Sequence, residues 1–178
     1  MGIFNALLTL IEPILLPRGI TSIQSGVVGA IFVVTGIAGA VILPIISDKL
    51  CIRVPIFISA IAALVPLFIG LTFVSNYLLI CIIAGITGFV IMGVAPILFQ
   101  YGSEVAYPIK EGTSLGVILL MGQISGALFV YLFETIQKAS GSILMPMMLI
   151  VIVSAIEIPF TLHMKESSFM QKNTNMVQ

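Results

Sequence analysis

Five stretches of the chain, residues 27–46, 54–74, 77–99, 115–133 and 143–162, are apolar for about twenty residues each and share a single acid, Glu157. At 1.5 Å of rise per residue, a helix of ~20 residues covers the ~30 Å hydrocarbon core of a bilayer. Composition closes off the soluble alternative. Only 8% of the residues are charged and 60% are hydrophobic, with a mean hydropathy of +1.26, whereas a soluble domain carries ~25% charged residues. Too few charges remain to clothe a water-facing surface, so the sequence predicts an all-α, multi-pass integral membrane protein in contact with the lipid bilayer. The formal net charge is zero, which points away from a nucleic-acid partner. Cys51 and Cys81 lack metal-ligand spacing and should fall near opposite faces of the membrane, too far apart for a disulfide.

The beginning of the chain differs. Residues 3–16 are apolar but few, Glu12-Pro13 interrupts them, Pro17-Arg18-Gly19 ends them, and residues 21–25 read as loop. The run has neither a basic n-region nor a small-residue cleavage site, so it reads as a helix rather than a leader. The expectation is six helices over about 3–17, 27–46, 54–74, 77–99, 115–133 and 143–162, the first short or truncated. Residues 1–164 would form one unit, and 165–178 a disordered polar tail. Tight connections at Ser75-Asn76 and 134–142 require antiparallel neighbours. Lys49, Arg53, Lys110, Lys165 and Lys172 then share one side, and Arg18 and Lys138 the other. The positive-inside rule makes the first side cytoplasmic; a cell-surface membrane is expected.

Small residues stripe the helices: Gly29, Gly36 and Gly39; Gly85, Gly88 and Gly93; and Gly122 with Gly126. They permit close helix approach, in static packing as much as in function. Pro44, Pro66, Pro96, Pro146 and Pro159 can each kink a helix. Such kinks suit a protein that opens on alternate sides, and they also occur in static bundles.

Polar chemistry concentrates in two islands, 47–55 (SDKLCIRVP) and 100–114 (QYGSEVAYPIKEGTS). No Ser/His/Asp set, metal cluster or phosphate loop appears, so neither an enzyme nor a metal or cofactor site is expected. His163 stands alone at a helix end and reads as interfacial. Asp48, Lys49 and Arg53 in the first island, and Glu104 and Glu111 in the second, should lie at one interfacial depth. There, charges that pair in only one conformation bias that conformation. The plainer alternative is that they are solvated topology determinants. Glu157, inside a long apolar helix, is a candidate for proton coupling or a carboxylate that snorkels to the interface.

Two motifs carry a resemblance. GAVILPIISDKLCIR resembles the cytoplasmic loop signature of the major facilitator superfamily, with Leu50-Cys51-Ile52 in place of its usual glycine and extra basic residues. GITGFVIMGVAPILFQYGSEVAYPIKEGTSLGVILLMGQISG is similar to the feline leukaemia virus subgroup C receptor-related transporters, as are GIFNALLTLIEPIL and SGVVGAIFVVTGIAGAVI. The resemblance implies the C-terminal half of a twelve-helix transporter that moves a small organic solute by alternating access, choline-like cations and haem being linked to that family. It implies a partner too: a missing N-terminal half or a separate subunit. It marks Gln123 as a substrate contact, and Asn5 as standing where relatives place a cavity tyrosine. An interhelical hydrogen bond is the other reading of Gln123. The signature also implies that Arg53 pairs with Glu104 as a gate, with Asp48 at a helix N-terminus of the other half. A partly shielded pair of this kind is worth ~1 kcal/mol. A receptor subunit or assembly factor that kept the fold without transporting is the alternative class.

Overall fold

The computed structural model describes residues 2–164; the polar tail lies outside them. Six helices account for nearly all of it: α1 (Gly2–Leu15), α2 (Ser22–Leu50), α3 (Val54–Phe73), α4 (Tyr77–Val105), α5 (Glu111–Ser140) and α6 (Leu144–Leu162). Five of these, α2 to α6, are long and apolar enough to cross a membrane. The outer surface is apolar, with Ile23, Val34, Leu78, Tyr131 and Phe160 all well exposed, as suits a bundle whose solvent is lipid.

Several helices outrun the apolar runs. Residues 21–25 are not loop: Thr21 caps α2, its hydroxyl accepting from the Gln24 N–H while the Gln24 side chain accepts from the Thr21 N–H. The T-x-x-Q spacing is the capping-box signature. Ser47–Leu50, 100–105 and 134–140 are helical too, because a helix does not stop where hydrocarbon gives way to headgroups. Glu12-Pro13 does not break α1, which runs on to Leu15 with Pro13 inside it. A short 3-10 turn, Leu16–Arg18, and left-handed Gly19 (φ 78°) then turn the chain into α2.

The helices associate in pairs: α2 with α4, α3 with α6, and α1 with α5. The first pair is the tightest. A Cβ added to Gly39 would strike the Phe89 carbonyl, and one added to Gly88 the Phe32 carbonyl. Thr35 Oγ1 reaches across to the Gly85 carbonyl at 2.7 Å. Packing and hydrogen bonds of this kind hold helices together where lipid removes the hydrophobic drive. The shared core gathers Leu7, Leu10, Val28, Phe68, Ile80 and Phe133, with Met147 and Ile150 from α6. By contrast, α5 buries only Gly126 and Phe133.

Candidate functional site

The α2–α3 turn builds the first cluster. α2 ends with the Ile52 N–H on the Ser47 carbonyl (3.2 Å) and the Cys51 N–H on that of Asp48 (3.3 Å). Cys51 takes the left-handed conformation (φ 52°) that such a cap usually gives to glycine. The buried Ser47 hydroxyl donates to the Ile52 carbonyl at 2.7 Å. This short turn delivers Arg53 to the start of α3, where Pro55 sits comfortably in the first turn.

Arg53 is 1% exposed. Its Nη2 donates to Glu104 Oε1 at 2.7 Å, from the last turn of α4, and lies 3.7 Å from Asp48 Oδ1. Glu104 is 17% exposed and Asp48 53%. One turn further along α3 from Arg53 and one turn before Glu104 on α4, Phe57 and Tyr101 meet edge to face at 5.7 Å. The cation is therefore enclosed. Lys49 and Glu111 are exposed, and neither enters an ion pair among the described residues. Glu111 lies in the first turn of α5, where an acid complements the helix dipole.

The second cluster lies between α1 and α5. Asn5 Nδ2 donates to Gln123 Oε1 at 2.9 Å. The structure thus brings together the two amides singled out for substrate contact, through an interhelical hydrogen bond. Close approach of Gly2 to Gly126 permits it. Gln123 is exposed and Asn5 half-buried.

Glu157 is exposed on α6, apart from both clusters. The His163 ring is hydrogen-bonded to the Pro159 carbonyl at 2.7 Å. Cys51 and Cys81 are both free thiols.

Arg18, given only a topological role above, reaches the far end of α3. Its Nη1 donates to the carbonyls of Leu71 (2.5 Å) and Val74 (3.0 Å). A cation there satisfies the open carbonyls at a helix C-terminus. Burial lowers its pKa from the ordinary guanidinium value. No local pattern marks this contact, because its partners are backbone atoms more than fifty residues away.

The chain matches no model of a known protein family. Single proteins do resemble it. It is 28% identical over 147 residues to solute carrier family 49 member A3 of Xenopus tropicalis, covering 78% of this chain and 30% of the relative. It is 28% identical over 146 residues to an uncharacterized MFS-type transporter of Caenorhabditis elegans, covering 79% and 25%. Over most of its length, then, the chain resembles half of a transporter of the major facilitator type. Within that class the likeness runs to the choline/ethanolamine transporter FLVCR1 of Felis catus, at 27% identity over 133 residues, 72% of this chain and 24% of that one. The chain spans less than a third of the length of each of these relatives.

Proposed function

We propose that the chain is the C-terminal half of an alternating-access transporter that carries a small organic solute, of the choline or ethanolamine class named for its relatives, across the cell-surface membrane. A missing N-terminal half or a partner subunit supplies the other wall of the site. The enclosed Arg53–Glu104 pair, with Asp48 beside it, carries this reading. It joins the ends of three helices at one face of the membrane, where a charge pair that forms in one state and opens in another biases the cycle. That face is taken as cytoplasmic. The pair closes it while the transporter is open outwards, and Gln123 and Asn5 meet the solute deeper in the membrane. Glu157 is the candidate for proton coupling.

The test is uptake of radiolabelled choline and ethanolamine by cells expressing the protein. Arg53→Glu should slow uptake more than it lowers surface expression, and adding Glu104→Arg should recover part of the rate. Strictly additive losses in that cycle would refute the gate.

A further inference from the structure

The first helix carries a polar stripe outside the gate. Asn5, Thr9 and Glu12 are spaced i, i+4, i+7 and so share one face of α1. Thr9 and Glu12 are exposed, while Ala6, Leu7, Leu10 and Ile14 bury the opposite face. A carboxylate presented to acyl chains is expensive, so a stripe of this composition faces protein or water.

Pro13 adds to the stripe. It lies inside α1 and has no N–H, so the Thr9 carbonyl, four residues earlier, has no intrahelical donor at that position. Irregular backbone at membrane depth is tolerated where it lines a cavity. The Thr9 hydroxyl is already committed to the Asn5 carbonyl at 2.8 Å. The Asn5–Gln123 bond uses an Asn5 N–H and leaves the Asn5 side-chain oxygen as an acceptor. Along ~10 Å of one helix face there are thus two free acceptors, the Thr9 carbonyl and the Asn5 side-chain oxygen, and one negative charge.

The geometry points to Glu12 as the residue that takes the positive charge of the solute, with the Thr9 carbonyl and the Asn5 amide oxygen accepting its N–H groups, so that a primary ammonium is selected over a quaternary one. This assignment rests on the transport reading above. A primary ammonium brings three N–H donors to such a face. A quaternary ammonium brings none and is held by aromatic cages. The stripe itself, Asn5, Thr9 and Glu12, carries no aromatic ring. A site built to hydrogen-bond a group rejects the analogue that lacks it, because its acceptors are then left unmatched.

The test uses the protein purified with its native membrane partners and reconstituted in proteoliposomes, with ethanolamine and choline binding and uptake measured separately. The wild type should favour ethanolamine by about tenfold or more. Glu12→Gln should weaken ethanolamine by about thirtyfold and choline by much less, while Glu12→Asp keeps most of the preference. Pro13→Ala returns an N–H to the Thr9 carbonyl and should weaken ethanolamine about fivefold with choline unchanged. A wild type that prefers choline or binds neither amine overturns the assignment. So does a folded Glu12→Gln protein whose ethanolamine-to-choline ratio is unchanged. Binding without uptake would instead sink the transport reading, and the same ratio would still decide the role of Glu12.

Discussion

Replacing Glu104 by Gln should be costlier than replacing Arg53 by Met, although each removes the same ion pair. The reason lies in what is left behind. Without Glu104, a guanidinium that is 1% exposed keeps Asp48 at 3.7 Å as a poorer counter-ion. Breaking a buried pair by removing one partner costs about 3–5 kcal/mol when the survivor is wholly uncompensated, and Asp48 reduces that here to about 2–3 kcal/mol. Without Arg53, the survivors are a carboxylate 17% exposed and another 53% exposed. Both can turn to water, and Met fills part of the vacated volume, so the cost is about 1 kcal/mol. The double variant, which leaves no enclosed charge, should cost less than the two single losses added. Equilibrium unfolding in mixed micelles, followed by circular dichroism, measures all four proteins. Equal single losses, or an additive double, would refute the argument that Arg53 is an enclosed cation held chiefly by Glu104.

Four further outcomes are expected. Gly39→Ala should destabilise the protein by about 1–3 kcal/mol because its Cβ strikes the Phe89 carbonyl, whereas Gly26→Ala, where nothing lies within 4 Å, should stabilise α2 by about 0.5–1 kcal/mol; thermal unfolding of the pair reads both. Cys51→Gly should raise stability by about 1 kcal/mol, since a left-handed residue with a Cβ is strained there, and a lower melting temperature would contradict this. Arg18→Gln should cost about 2 kcal/mol through the two lost bonds to the end of α3, seen as faster amide exchange in its last turn. Lys110→Cys and Lys138→Cys should label from opposite sides with a membrane-impermeant maleimide; labelling of both from outside would overturn the topology.

Hydropathy made the five long spans legible because a bilayer demands about twenty uncharged residues from any helix that crosses it. Their ends were not legible by the same signal. Ser47–Leu50 and residues 134–140 are polar and helical, and hydropathy marks the lipid boundary, not the last hydrogen bond. The start of α2 was readable, since Thr21 and Gln24 spell a capping box. The meeting of Arg53 with Glu104 could be anticipated from two polar islands at one depth. The enclosure of Arg53 could not, because it depends on how the ends of α2, α3 and α4 come together. Glycines divide in the same way. Gly39 and Gly88 are pressed against backbone while Gly112 and Gly116 face open space, and no local pattern separates them. The contacts of Arg18 with Leu71 and Val74 are of this long-range kind as well.

The close seam between α2 and α4 has a mechanical consequence. Helices whose glycines abut carbonyl oxygens cannot slide past one another without a steric collision, so the two behave as a single strut. Asp48 ends one member of that strut and Glu104 ends the other. Their separation is therefore set by the seam. The two carboxylates thus stand at the end of one rigid unit, and Arg53, borne on the start of α3, is held between them.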